Sequence, residues 1–236
     1  AAAANIIVEC AEDGKKATAT LPQLKVFENT SAPKTTLSLY NFGTEEAPDW
    51  ETYTKISTED ELKALSNDST KWSGNYVLTA DITLTAPANE SDSNWTAIGT
   101  YSTPFTGKFD GNGHTISGIV INSTSDYQGL FGWSKGTIMN VGVIDSSISG
   151  GNSVGGVCGW NEDAGTITSC YSTGAGSAAG NDGGGGCGEN DGTIENCYST
   201  GAVSGSSNVG GVCGYNNGGT IENCYSTGAV SGSSRV

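Results

Sequence analysis

Basic residues, histidine and proline are all scarce in this chain of 236 residues, and each scarcity closes off a class of function. Ten Lys and Arg stand against 25 Asp and Glu, a net charge of −15. Such a surface repels phosphate backbones, so no nucleic acid is expected as a partner, and cations suit it better. A single His, with no C-x-x-C pair anywhere, leaves no zinc site in prospect. Five Pro, and no Gly at every third position, rule out collagen. No apolar run approaches the ~20 residues of a membrane span, so no membrane insertion is expected. No basic segment precedes an apolar one at the start either. The chain opens Ala1-Ala2-Ala3-Ala4 without Met, which fits a processed product whose lost segment was a secretion signal.

What is abundant is Gly, 36 residues, together with Ser, Thr and Asn. That profile suits many short strands joined by tight turns, where Gly and Asn tolerate positive φ. Near the C-terminus the chain repeats itself. GGVCGWNEDAGTITSCYSTGAGSAAG starts at Gly155, GGGCGENDGTIENCYSTGAVSG at Gly184 and GGVCGYNNGGTIENCYSTGAVSG at Gly210. Cys170-Tyr171-Ser172-Thr173-Gly174 returns at Cys197 and Cys224, a period of 27 residues both times. A fixed period in this range means stacked equivalent units.

Seven Cys are present, Cys10 alone and the other six in two families: Cys158, Cys187, Cys213 and Cys170, Cys197, Cys224. A degenerate earlier repeat decides how the families read. Gly129-Leu130-Phe131-Gly132-Trp133 matches Gly156-Val157-Cys158-Gly159-Trp160, and Thr137-Ile138-Met139-Asn140-Val141 matches Thr220-Ile221-Glu222-Asn223-Cys224. Phe131 and Val141 therefore hold the places later taken by Cys. Positions that accept Phe, Val and Cys are being filled, not coordinated, so inward thiol stacks are favoured over disulfides.

Upstream, Ile56 to Leu65 is the clearest helix, with Ser57 as N-cap, acidic residues in the first turn and Leu62 and Leu65 on one face. A short helix before a repeat array is the expected cap on its first open edge. Short alternating strands with Gly or Asn punctuation follow at Tyr76–Leu78, Ile82–Thr85, Trp95–Gly99, Phe105–His114 and Thr115–Ile121. Residues 1–42 hold strand-like pieces and read as a β-rich lead-in or small module.

Each repeat thus holds three short strands and three bends, and parallel stacking sets every residue about 4.8 Å above its counterpart. Ile167, Ile194 and Ile221 then form one inward ladder and the two Cys families two more. These repeats resemble the GLUG motif of bacterial surface and secreted proteins, a class that includes the non-catalytic region of some IgA-protease-like polypeptides. The stretch Ile98-Gly99, Phe105-Thr106-Gly107-Lys108-Phe109-Asp110-Gly111-Asn112-Gly113-His114-Thr115-Ile116 is similar to what precedes such repeats, as is Gly43-Thr44-Glu45-Glu46 with the helix behind it. The resemblance covers residues 43–236. It implies an all-β fold, a right-handed parallel β-helix of about 27-residue coils with a short N-terminal capping helix. Its repeats fall at 129–150, 151–180, 181–205 and 206–232. Two features depart from the pattern: Gly186 replaces the usual aliphatic residue, and Cys is unusually regular.

Candidate sites follow. Asp110 and His114 flank the turn in FDGNGH, either as an acid/base pair for polysaccharide cleavage or as a plain β-turn, and the turn is favoured. Asn161-Glu162-Asp163, Glu189-Asn190-Asp191 and Asn216-Asn217 recur at one bend, where oxygen ligands would suit Ca²⁺, though a solvated turn is the simpler reading. Ser172-Thr173, Ser199-Thr200 and Ser226-Thr227 would stack as a hydroxyl ladder of the kind that orders water or ice. Tyr171, Tyr198 and Tyr225, with Trp133, Trp160 and Tyr215 at a second repeat position, are the candidate binding residues for a sugar-stacking surface; stabilising neighbouring coils is their alternative role. Ser231 to Val236 begins another copy of Ser204 to Val209, so either the natural protein continues, which is the plainer reading, or open coil edges stack end to end between molecules.

The chain is therefore read as a non-enzymatic, extracellular or cell-surface solenoid with no catalytic residues and no cofactor, presenting a repetitive face to a glycan or surface protein. The alternatives are a carbohydrate-active β-helix enzyme and a subunit of a self-assembling filament.

Overall fold

The computed structural model describes residues 50–236 and, before them, the strands Ile6–Glu9, Lys16–Ala19 and Leu39–Asn41. The chain divides into two units, Ala1–Thr52 and Tyr53–Val236. In the first, Ile6–Glu9 pairs antiparallel with Lys16–Ala19. Leu39–Asn41 pairs antiparallel with Trp50–Thr52. Both strands of this second pairing fall within the first unit, whose bound at Thr52 lies ten residues beyond residue 42.

The second unit is a parallel β-solenoid. Each full coil passes through four sheets rather than three. Sheet 1 carries Phe131–Ser134, Cys158–Asn161, Cys187–Asn190 and Cys213–Asn216. Sheet 2 starts with Thr54–Ile56, Asn75–Leu78 and Lys108–Asp110, then carries the Thr-Ile strands at Thr137–Met139, Thr166–Thr168, Thr193–Glu195 and Thr220–Glu222. Sheet 3 runs from Ile82–Thr83 and Thr115–Ser117 through Gly142–Ile144 to Tyr171–Ser172, Tyr198–Ser199 and Tyr225–Ser226. Sheet 4 contains Val120–Asn122, Ser147–Gly150, Ala175–Gly184, Val203–Gly210 and Val230–Ser231. The Ser/Gly-rich stretches of sheet 4 look like turns in sequence. They are strands because the coil above and the coil below each offer a ladder to pair with, which overrides a weak local preference.

Ile167 lies over Ile194 and Ile194 over Ile221. Phe109 and Ile138 continue the same column upward. In sheet 1, Phe131, Cys158, Cys187 and Cys213 form one column. These side chains join one core whose members shrink along the axis, from Phe105, Phe109 and Phe131 to Cys and Val. All six described cysteines are free thiols; Cys10 lies outside the described residues. Bends between sheets 2 and 3 fall on Asn140, Ser169, Asn196 and Asn223, each at φ near 54°. Asn tolerates this left-handed geometry better than most residues.

The helix spans Glu59–Ser66, and its N-cap is Thr58, not Ser57. Thr58 Oγ1 accepts from the Glu61 N–H while the Glu61 carboxylate accepts from the Thr58 N–H, a reciprocal capping box. The Ser57 N–H donates to the same carboxylate at 2.8 Å. Buried Leu62 and Leu65 join Ile56, Trp72 and Leu78 in the core, and Trp72 Nε1 donates to the Leu65 carbonyl at 2.9 Å, fixing the helix to the first coils.

Candidate functional site

The three tyrosines sit on the outer surface of sheet 3, in register. Tyr171 and Tyr198 are stacked at 4.8 Å and 1°, Tyr198 and Tyr225 at 5.2 Å and 6°. The rings therefore stack along the solenoid axis and cover one another's faces. A sugar that stacks needs an open ring face, so Tyr171 and Tyr198 chiefly stabilise neighbouring coils. The column begins at Tyr171 because Gly142, one rung earlier, leaves room: a Cβ there would come within 2.3 Å of the Tyr171 ring. Tyr225, 56% exposed, keeps an uncovered face.

The second aromatic position lies on sheet 1. Trp133 and Trp160 pack at 4.0 Å with their planes 37° apart. Tyr101 and Tyr127 each meet Trp133 nearly edge-on at 4.8 Å, and Tyr127 also leans on Trp160 at 5.6 Å. Sequence reasoning missed Tyr101 and Tyr127, since they lie in loops outside the repeat and no period points to them. Trp133 is buried beneath them, while Tyr101 stands 76% exposed. Each indole is pinned by the bend of the following coil. Trp133 Nε1 donates to the Glu162 carboxylate, which Lys135 also holds at 2.8 Å, and Trp160 Nε1 donates to Asp191 at 2.6 Å.

Tyr215 is in this column but not next to the tryptophans. Glu189 intervenes, in register with Trp160 on one side and Tyr215 on the other. Ser153 Oγ donates to Glu189 at 3.3 Å. Burial, and then the neighbouring charges of Asp182 and Asp191, push the Glu189 carboxyl up to about 7. The six candidate binding residues thus fall on two separate sheets.

The remaining candidates resolve as follows. At the Asn- and acid-rich bend, read from sequence as a solvated turn or a calcium site, Asn161 and Asn190 turn inward and are fully buried. Asn161 Nδ2 donates to Asn190 Oδ1 and Asn190 Nδ2 to Asn216 Oδ1, both at 2.8 Å, an amide ladder running up the solenoid. The Asn161 and Asn190 amides line the interior while Asn216 at the end of the ladder is exposed, and no group of three or more His, Cys, Asp or Glu suited to a metal occurs among the described residues. The signal was present in the sequence, since Asn recurs at one repeat position, but its inward direction was not. The expected Ser-Thr surface ladder also divides: Ser172 and Ser199 point into the core while Thr173, Thr200 and Thr227 are exposed. Asp110 is buried and accepts from the Asn112 N–H at 2.7 Å, bonding its own turn, while His114 faces Asp81 at 3.2 Å.

Against known proteins, the chain matches the GLUG motif at residues 150–177 and 205–231. It is 36% identical over 141 residues to halomucin from Haloquadratum walsbyi, an alignment that takes in 56% of this chain and 2% of halomucin. Among solved structures it resembles a candidate immunoglobulin A1 protease from Bacteroides ovatus, with a TM-score of 0.67 and 28% identity over 81% of this chain and 60% of that one. The chain therefore spans a small part of halomucin and under two thirds of the Bacteroides chain. The coil between the two matched segments contains both Gly186 and Glu189, the points where the repeat departs from its own pattern. Two coils of this parallel β-solenoid thus match the GLUG motif.

Proposed function

We propose that the chain is a non-enzymatic solenoid segment of an extracellular or cell-surface protein, and that the outer aromatic cluster on sheet 1 holds a glycan or a surface protein. The observation that carries this reading is the Tyr101, Tyr127 and Trp160 cluster packed over buried Trp133, an aromatic surface on a regular scaffold with carboxylates beside it. Rigid aromatics placed by stacked strands lose little entropy on binding. Three facts favour binding over catalysis. Asp110 is engaged in its own turn, His114 is held by Asp81, and four of the six described thiols are buried. The Bacteroides neighbour's description as a protease attaches to a longer chain, and function resides in sites rather than folds. A binding array of glycans and host proteins, run on the intact chain, tests the reading. Selective retention of a ligand that weakens with Trp160→Ala supports it; release of sugars or peptides from the array overturns it in favour of an enzyme.

A further inference from the structure

The aromatic column on sheet 1 is missing one rung. Trp133 and Trp160 occupy successive rungs, Glu189 the next and Tyr215 the one after. Two rungs of parallel sheet span about 9.6 Å. The tyrosine column on sheet 3 shows what fits in that span, because Tyr198 lies 4.8 Å from Tyr171 and 5.2 Å from Tyr225. By the same spacing the interval between Trp160 and Tyr215 has the depth of one ring, and the rung between them carries Glu189 in place of an aromatic residue.

Glu189 stands in that interval. Its carboxylate leans to Ser153 and is half-buried beside Asp182 and Asp191. Among the described residues no Lys, Arg or His pairs with any of these three acids; the nearest ion pair on this face, Lys135 with Glu162, belongs to the tryptophan end. A ring at position 189 would complete the column and add stacking, as Tyr198 does on sheet 3. Placing a carboxylate there instead costs stability, and such local rule-breaking marks functional positions.

We propose that the gap between Trp160 and Tyr215 is a binding slot for one amino-sugar ring of a glycan, with its ammonium group on the Glu189 carboxylate. The proposal rests on the glycan reading above and names its ligand class. The apolar C–H face of a pyranose covers an aromatic ring, as another ring does. A cation between aromatic faces gains further from their quadrupoles. The ammonium also supplies the counter-charge that Glu189 and its acidic neighbours lack within the chain. A neutral or N-acetylated sugar fills the same space but leaves that carboxylate unpaired, which a half-buried site penalises.

Calorimetric titration of the intact chain with a glucosamine tetramer, an N-acetylglucosamine tetramer and an arginine-rich peptide tests this. The glucosamine tetramer is expected to bind, with the N-acetylated form about tenfold weaker. Glu189→Gln should weaken binding by about tenfold. Glu189→Tyr, which fills the slot with a ring of the chain's own, should abolish binding while raising the melting temperature, so that loss of binding is separated from loss of fold. Glu222→Gln, an exposed acid on sheet 2, should leave binding unchanged. Wild-type affinity in Glu189→Tyr, equal affinity for the two tetramers, or tighter binding of the peptide overturns the slot. If other glycans still bind, the glycan reading survives without it; if no glycan binds the intact chain at all, both fall.

Discussion

The Ser199 hydroxyl lies against the backbone of Gly185: a Cβ on that glycine would sit 2.1 Å from Ser199 Oγ and 2.2 Å from the Gly211 carbonyl oxygen. Ser172 meets Gly156 in the same way at 2.1 Å, and Ser226 meets Gly211 at 2.4 Å. These pairs set the width of the solenoid in its last coils. The second Gly of each GG doublet is needed because a wall of the coil passes against a serine on sheet 3, with no space for a methyl group. Earlier coils hold Ile116 and Val143 at the serine position.

Gly185→Ala is therefore expected to destabilise the protein by about 2 kcal/mol, since the clash falls partly on backbone that cannot yield. Ser199→Ala should do the opposite. Ser199 Oγ and Ser172 Oγ are buried without a hydrogen-bond partner, and an apolar methyl removes that penalty for a gain of about 1 kcal/mol. Urea unfolding of the two variants checks both signs, and a loss of stability in Ser199→Ala would show that the hydroxyl is satisfied.

One position over, space is available. Gly186 borders a small apolar cavity lined by Val157, Ile167, Cys170, Ile194 and Val212, where the other repeats carry Val. A Cβ on Gly186 would meet only the Val212 carbonyl oxygen, at 3.2 Å. Gly186→Ala should stabilise by about 0.5–1 kcal/mol, by filling part of the cavity and stiffening the unfolded chain. Thermal unfolding of this variant beside Gly185→Ala gives shifts of opposite sign from adjacent glycines.

Glu189 gives the solenoid a pH dependence. Its carboxyl is raised from the ordinary 4.5 to about 7 by burial and by Asp182 and Asp191, with Ser153 its hydrogen-bond donor and the Tyr127 hydroxyl within the same field. The folded state holds this proton more tightly than the unfolded one. The resulting stability is complete below pH 4.5 and is lost as pH rises through about 7. The melting temperature of wild type minus that of Glu189→Gln should therefore fall between pH 5 and 8; a flat difference would remove Glu189 as the cause.

The thiols should titrate in two classes. Cys213 and Cys224 are partly exposed, whereas Cys158, Cys170, Cys187 and Cys197 are buried. Cys170 and Cys187 are raised well above the usual thiol range by burial, but Cys213 and Cys224 are raised too, so accessibility is what separates the two classes. An aromatic disulfide reagent should label Cys213 and Cys224 first and the four buried thiols only on unfolding, as read by mass mapping. Early labelling of Cys187 would contradict the buried column.

The sequence alone determined the stacking. Cys170, Cys197 and Cys224 recur at a constant spacing, and a period of that length admits only equivalent units laid one on another, so the Ile167, Ile194 and Ile221 ladder followed before any coordinates. It also determined that Cys positions are filled rather than coordinated, because Phe131 and Val141 hold the same places. Tertiary structure decided direction and depth. A repeat puts Asn161 over Asn190 and Ser172 over Ser199 without saying which way they point. Only the closed coil turns the amides and serine hydroxyls inward and the tyrosines out. Likewise, the fourth strand of each coil forms because neighbouring coils supply its hydrogen bonds, a partner no local propensity contains. The interrupted column at Glu189 had the same origin: its residues were visible in the repeat, but a one-ring gap exists only once rungs acquire a height.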